Sequence, residues 1–149
     1  MDDSRRKIYR NFLSGLDAGS PEGGRSRSPM FVLGDETWAP PTDILETQTE
    51  LIIIMEIAGI HPHEIDIQYS GGILTIEGSR EELPVVKNAQ ITYFHKKEID
   101  YGHFRVRVKI TSRIVSDAIE ALYESGFLMI HLPKDPGKRK SSSVKIPVK

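Results

Sequence analysis

The sequence of 149 residues contains no cysteine, and only 7% of its residues are aromatic. Without thiols the chain has no disulfide scaffold, no thiol nucleophile and no cysteine-bearing zinc or iron–sulfur site. Lys and Arg number 20 against 21 Asp and Glu, so the net charge of -1 at pH 7 supplies no global field that would attract nucleic acid. Because no long apolar run follows Met1, we expect neither a secretory signal nor a membrane span, and a cytoplasmic protein.

Sequence patterns of catalysis are also missing. The five histidines have no spaced carboxylate or nucleophile near them, and the sequence lacks Gly-x-Ser-x-Gly, His-Glu-x-x-His and the phosphate-binding Gly-Lys-Ser/Thr motif. We interpret His61-Pro62-His63 as a turn with two exposed histidines rather than as a metal site. The basic run 138–140 lacks interleaved aromatic residues, which argues against nucleic-acid binding. We therefore expect no catalytic residue, no cofactor, no metal and no nucleic-acid partner.

The N-terminal segment, residues 1–36, contains a Gly/Ser/Pro/Arg stretch that cannot bury enough apolar surface to fold alone. We expect a mobile arm that is partly helical, because apolar residues near its start recur at helical spacing. These residues are Ile8, Tyr9, Phe12, Leu13 and Leu16, and Phe31 lies further along the arm.

Residues 37–134 form short alternating runs of apolar and polar residues separated by turns, which predicts a β-sandwich or barrel. Two such runs flank Gly71-Gly72, which predicts a hairpin. The nearly continuous apolar run 51–57 predicts a strand covered on both faces. The residues expected to point inward are Ile65, Ile67, Tyr69, Leu74, Ile76, Phe104, Val106, Val108, Ile110, Leu128, Ile130 and Leu132.

Three segments are less regular. Between Ile114 and Tyr123 the apolar residues fit both a helical stripe and an alternating strand, and periodicity alone leaves both open. The segment from Glu81 to Glu98 is long for a sandwich connection and predicts a functional loop. The tail, residues 135–149, is charged apart from the aliphatic residues Val144, Ile146 and Val148.

Six short motifs occur along residues 38–148 in a fixed order. They are Trp38-Ala39-Pro40-Pro41-Thr42-Asp43-Ile44-Leu45-Glu46, Ile57-Ala58-Gly59-Ile60, Leu74-Thr75-Ile76-Glu77-Gly78-Ser79-Arg80, Glu98 with Tyr101-Gly102 and Phe104, Ala121 with Gly126, Leu128 and Leu132-Pro133, and Ile146-Pro147-Val148. In this order they resemble the α-crystallin domain of the small heat shock proteins. The resemblance implies an all-β, immunoglobulin-like β-sandwich in which 119–123 is a strand. Ile99 and Val106 stand where the family has arginines, so its ion pairs at the dimer contact are not carried over.

The resemblance also implies contact sites between subunits. The tail motif Ile146, Pro147 and Val148 is expected to dock on a neighbouring subunit, in a groove formed by Ile65, Ile67, Ile119 and Ala121. Alternate aliphatic side chains fit such a groove, and Pro147 lowers the ordering entropy of docking. The alternative is a disordered end with two exposed hydrophobic residues. Dimers are expected to form by exchange of a strand near Tyr93 and Phe94, with Glu98 beside it, which pairs with the partner's strand containing Asp43 and Ile44.

The expected function follows from these sites. The resemblance implies an ATP-independent holdase chaperone, a homo-oligomer built from dimers, which binds unfolded client proteins through the apolar residues of the N-terminal arm and requires no membrane. The alternative is a monomeric sandwich module of the co-chaperone or scaffold type that binds one folded partner.

Overall fold

In the computed structural model the described residues are 38–137 and 143–149, together with the backbone of the strand 30–33. The predictions for Ile8, Tyr9, Phe12, Leu13 and Leu16 lie outside the described residues. Phe31 belongs to a described strand, but its side chain is not described.

The regular secondary structure of the described chain is almost entirely β, in two antiparallel sheets. Sheet A has the strand order β1-β6-β5-β4-β9 and sheet B the order β2-β3-β8-β7. The helical elements within the described residues are α1 (Pro84–Lys87) and two 3-10 turns, Pro62–Glu64 and Ser116–Ala118. The strands are β1 (Met30–Leu33), β2 (Thr42–Glu46), β3 (Glu50–Glu56), β4 (Asp66–Ser70), β5 (Ile73–Arg80), β6 (Gly102–Lys109), β7 (Glu120–Glu124), β8 (Phe127–Pro133) and β9 (Val144–Lys145).

One apolar core lies between the two sheets. All twelve residues predicted to point inward are buried. Leu51, Ile53 and Met55 of β3, and Ile57 directly after this strand, belong to the same core cluster. Alternate residues of a strand point to opposite faces, so the alternating runs in the sequence translate directly into this inner layer. The β-sandwich predicted from the sequence is confirmed.

Two tight turns hold the register of neighbouring strands. Gly71 and Gly72 connect β4 to β5 with φ of 58° and 77°, the left-handed conformation that the twist of a two-residue hairpin requires. Ser125 and Gly126 connect β7 to β8 in the same way, with φ of 51° and 85°. A Cβ atom on Gly126 would lie 2.9 Å from Cβ of Ala58, so this turn is both conformationally and sterically restricted to glycine.

The ambiguous stretch divides into two elements. Ser116–Ala118 is a single 3-10 turn, and Glu120–Glu124 is strand β7, which pairs with β8. The helical interpretation is therefore wrong, because hydrogen bonding to β8 satisfies the backbone as a strand.

The apolar run 51–57 is covered on one face only. Leu51, Ile53 and Met55 are buried in the core, whereas Ile52 and Ile54 are only half-buried on the outer face of sheet B. The prediction of a strand covered on both faces is therefore wrong for this outer face.

Candidate functional site: the two sheet edges

The first candidate site is a groove at the edge where β4 of sheet A and β7 of sheet B lie side by side. Ile65 and Ile67 border it on the sheet A side, and Ile119 and Ala121 border it on the sheet B side. All four side chains are buried and belong to the core cluster. The structure therefore brings together the groove residues named from the sequence.

The C-terminal tail of the same chain fills this groove. Val144 and Lys145 pair antiparallel with Tyr69 and Gln68 of β4, and the N–H of Ile146 donates a hydrogen bond of 2.9 Å to the carbonyl of Ile67. The tail thus extends sheet A by one strand.

Beyond Pro147 the tail crosses to the other sheet. Val148 forms a parallel bridge with Ala121, and the N–H of Lys149 donates a hydrogen bond of 3.0 Å to the carbonyl of Ala121. The N–H of Tyr123 in turn donates to the carbonyl of Lys149 at 2.9 Å. Proline has no N–H to satisfy, so it suits the exposed crossing point between the two strands.

The side chains of the tail alternate between the groove and water. Ile146 is only 3% exposed and belongs to the core cluster, and Val144 and Val148 pack against this cluster while remaining half-buried. Lys145 and Pro147 point outward. This is the geometry that alternate aliphatic residues predict for a segment lying in a groove.

An ion pair fixes the entry of the tail into the groove. Lys145 Nζ lies 2.8 Å from Oδ1 of Asp66 on β4, and the side-chain amide of Gln68 donates to the other oxygen at 2.9 Å. The hydrogen bond from Lys145, assisted by that from Gln68, lowers the pKa of Asp66 below its usual range, against a smaller effect of burial.

The opposite edge of sheet B has no such cover within the described residues. β2 holds Asp43 and Ile44 and pairs on one side with β3, with Ile44 facing Ile53 of the core. Among the described strands nothing pairs with its other side. An unpaired strand edge of this kind is a template for pairing with another chain.

The long segment between β5 and β6 is exposed. Tyr93 is 72% exposed and Phe94 is 45% exposed. Apart from α1 the segment has no helix or strand, so the predicted strand near Tyr93 and Phe94 is absent from the single chain. Its contacts are local: Lys97 Nζ lies 5.2 Å from the ring centroid of Phe94, and Lys96 pairs with Glu98 at 3.2 Å.

The base of this segment is held by Arg80, a residue that the sequence places in a motif without giving it a role. Its guanidinium donates two hydrogen bonds to the carbonyl of Asp100 and one of 3.2 Å to the carbonyl of Ala58. Its Cζ lies 4.1 Å above the ring of Trp38, whose indole N–H donates to the carbonyl of Gly102 at 2.8 Å. Arg80 and Trp38 therefore fix both ends of the loop where it leaves and rejoins the sandwich.

The described residues were also compared with the requirements of a metal site and of a membrane-spanning helix. No group of three or more His, Asp or Glu side chains among them has a geometry that would hold a metal ion. His61 and His63 stack with ring centroids 5.4 Å apart. None of the helices in the described part of the chain has the length and apolar character needed to cross a bilayer.

Comparison with known proteins identifies relatives of one kind. A model of the Hsp20/alpha crystallin family matches residues 43–149. Small heat shock protein C2 of Rickettsia felis is 38% identical over 107 residues, which cover 71% of this chain and 68% of that protein. Heat shock protein HSP.16.4 of Streptococcus thermophilus is 32% identical over 105 residues, which cover 70% of this chain and 72% of that protein.

Solved structures agree in fold. The hspA structure from Xanthomonas axonopodis superposes with a TM-score of 0.60 at 31% identity, covering 68% of this chain and 98% of that one. A small heat-shock protein from Xylella fastidiosa, described as revealing a distinct high order structure, has a TM-score of 0.59 at 29% identity, covering 71% of this chain and 94% of that one.

Proposed function

The chain belongs to the Hsp20/alpha crystallin family, and on this premise we propose that it is an ATP-independent holdase that works as a dynamic homo-oligomer built from dimers. Small heat shock proteins are chaperones of the stress response and not enzymes. A holdase needs covering surfaces and exchangeable contacts rather than a reaction centre. The two sheet edges supply candidates for the exchangeable contacts.

The observation that supports this proposal most directly is the docking of Ile146 and Val148 across β4 and β7. The groove contacts come from a short tail, so the tail of a neighbouring subunit would present the same atoms to the same groove. Burying two aliphatic side chains is worth roughly 3–6 kcal/mol before the ordering of the tail is subtracted. Single contacts of this size are reversible, and many together hold a particle.

The dimer contact is proposed at the other edge. The free side of β2, with Asp43 and Ile44, would accept a strand from the partner, and the exposed loop with Tyr93, Phe94 and Glu98 would supply it. Two exposed aromatic side chains, together with a strand edge that no described strand covers, support this exchange. In the dimer the segment would gain the strand conformation that it lacks in the single chain.

Client binding is proposed for the N-terminal arm. Its residues Ile8, Tyr9, Phe12, Leu13, Leu16 and Phe31 would cover apolar segments of unfolding proteins without a specific fit. A cytoplasmic location is part of the proposal and is supported by the absence of cysteine, which suits a reducing compartment.

The test of the function is the suppression of heat-induced aggregation of an unrelated enzyme, followed by light scattering at equimolar subunits. We expect the protein to suppress scattering equally with and without ATP. Replacement of Phe12, Leu13 and Leu16 by Ser should weaken suppression, because it removes apolar surface, whereas the matched polar variant with Ser20, Ser26 and Ser28 replaced by Ala should retain it. Scattering that is unaffected by the protein under both nucleotide conditions would defeat the proposal.

One observation favours the second candidate function, a monomeric module that binds a folded partner. In the single chain the tail closes its own groove, and nothing in that contact requires a second subunit. The solution mass separates the two functions, because the holdase requires a dimer or larger and the module a monomer.

A further inference from the structure

The outer face of sheet B has an apolar centre. Its inner face is turned to the core, and the alternate residues of all four strands meet on the outside. In register, Leu45 lies opposite Ile52, Ile54 opposite Met129, and Met129 opposite Leu122. We call the six apolar residues of this face the outer patch: Leu45, Ile52, Ile54, Leu122, Phe127 and Met129.

Three members of the outer patch are strongly exposed. Leu45 is 48%, Leu122 44% and Phe127 46% accessible, although they lie in regular strands, and the other three are half-buried. An exposed apolar patch of this kind on a sheet face is typical of an interaction surface.

The outer face of sheet A shows what an uncovered face of this sandwich looks like. There Thr75 lies opposite Gln68 and Arg107, and Glu77 lies opposite Arg105 with Arg105 Nε and Glu77 Oε1 only 2.7 Å apart. Polar outward residues on an antiparallel sheet are typical of a face in water. The two outer faces therefore differ in kind, and that of sheet B has the apolar character of an interaction surface.

The border of the outer patch is acidic. Asp43, Glu56, Glu120 and Glu124 are exposed around it. Among the described residues, these four carboxylates make no ion pair, in contrast to Glu50 on the same face, which pairs with His131 at 3.0 Å. A segment that covers the patch should therefore combine apolar residues with positive charge.

Two segments of this chain have that composition, but the C-terminal tail already lies in the β4/β7 groove, which leaves the segment near the N-terminus. From Ser4 to Leu16 it contains four basic residues and no acidic one, and its apolar residues Ile8, Phe12 and Leu16 recur at helical spacing. Thirteen residues separate Leu16 from Met30, where β1 begins at the edge of sheet A. Extended, they span about 45 Å, and the two sheets are about 10 Å apart, so the segment reaches the outer face of sheet B.

We propose that residues 5–16 dock on the outer patch, with Ile8, Phe12 and Leu16 on its apolar residues and the basic side chains on the acidic border. The docked arm hides both its own apolar residues and the patch. The docking does not rest on the proposed function.

The test uses the full chain and the absence of native cysteine. Asn11→Cys is combined with Met129→Cys in the centre of the patch or, as a matched control, with Thr75→Cys in the centre of the outer face of sheet A. A short thiol–thiol crosslinker is added, and the linked peptides are quantified by mass spectrometry. Because docking raises the local concentration of the arm at the patch, we expect a yield at least about tenfold higher with Met129→Cys than with Thr75→Cys.

The charge argument has its own control. Glu120→Gln with Glu124→Gln should reduce the crosslinking to Met129→Cys, as should high salt, whereas Glu81→Gln with Glu82→Gln, the same loss of charge in the exposed loop, should not. Equal yields at Met129→Cys and Thr75→Cys would overturn the proposal. So would crosslinking of Met129→Cys mainly to a second Met129→Cys, which would assign the patch to another copy. Either result leaves the aggregation test unaffected, so the two proposals fail separately.

Discussion

At each of the two edges of the sandwich a strand has backbone N–H and C=O groups that its own sheet leaves unpaired, and the two edges differ in what covers these groups. At the β4/β7 edge the tail supplies backbone hydrogen bonds to both sheets and buries Ile146. At the β2 edge the described chain supplies no such segment, and Tyr93 and Phe94 of the β5–β6 loop remain exposed. The first edge is therefore satisfied within one chain, whereas the second is suited to a partner.

The difference has a basis in the attachment of each covering segment. The tail lies along the groove and crosses from one sheet to the other, with backbone hydrogen bonds to both. The loop around Phe94 is held at both ends, because Arg80 and Trp38 bind its base through Asp100 and Gly102. A loop that is held at its base and exposed along its length fits the strand exchange proposed above better than closure of its own edge.

The largest effect should come from removing the tail from the groove between β4 and β7. Ile146→Ala with Val148→Ala removes apolar contacts worth about 2–5 kcal/mol for a fully buried aliphatic side chain, so the tail should detach while the sandwich stays folded. Native mass spectrometry should then show dimers in place of the larger assembly, and the amide of Tyr123 should exchange faster. Lys149→Ala, which leaves the backbone bonds intact, is the control. An unchanged particle mass in the double variant would remove the tail from the assembly contacts.

A smaller effect is expected at the anchored loop. Arg80→Ala breaks the hydrogen bonds to Asp100 and Ala58 and the contact with Trp38, which should lower the free energy of unfolding by about 1–3 kcal/mol. Limited proteolysis between 81 and 101 should become faster as well. Arg80→Lys keeps the charge but not the planar fork, so it should restore little of either property. Loss of stability without faster loop cleavage would show that Arg80 supports the sandwich but not the loop.

The ion pair of the tail should give a weaker, pH-dependent effect. Lys145 lowers the pKa of Asp66, so the charged carboxylate favours the docked tail at pH values above the ordinary pKa of an aspartate, about 3.9. This contribution is lost as the pH falls through the lowered pKa of the docked state. Because the pair is exposed, Asp66→Asn should weaken docking by less than about 1 kcal/mol at pH 7.

Hydrogen exchange of the Ile146 amide measures this effect, with Glu82→Gln as a control of equal charge. The difference between Asp66→Asn and the parent chain should shrink at high salt and vanish at low pH. A difference that persists at pH 2 would show that the hydrogen bond from Gln68, rather than the charge, dominates.

The smallest effect on the subunit itself is expected from Tyr93→Ser with Phe94→Ser. Both side chains are exposed, so the unfolding of the single sandwich should change by no more than about 0.5 kcal/mol. The same double variant should nevertheless weaken the dimer, which analytical ultracentrifugation measures. A subunit that is clearly destabilised, with an intact dimer, would place these side chains in the fold of one chain and not at the proposed contact.

Much of the inner architecture could be predicted from the sequence because it depends on local alternation. Phe104, Val106 and Val108 point inward because they occupy every second position, and Gly71-Gly72 makes a hairpin turn because of its backbone freedom. The groove residues came from resemblance to the family, since no local pattern relates Ile67 to Ala121.

Other features depended on contacts between distant residues. The contact of Arg80 with Asp100 spans 20 positions and that of Trp38 with Gly102 spans 64, so neither leaves a periodic signal. The sequence predicts a buried outer face for β3, and this is wrong because apolar composition alone does not distinguish a buried face from a partly exposed one. The strand at 120–124 was undecidable from periodicity because a short apolar stretch fits both periods.

Ten residues separate Pro133 at the end of β8 from Val144, where the docked tail begins. A tether of this length keeps a segment at an effective concentration of roughly millimolar near its own binding site. In the proposed assembly the tail of another subunit would compete with the chain's own tail for the same groove. Such an assembly would have a threshold concentration set by the tether, and inserting or deleting residues there would shift the protein concentration at which particles begin to form.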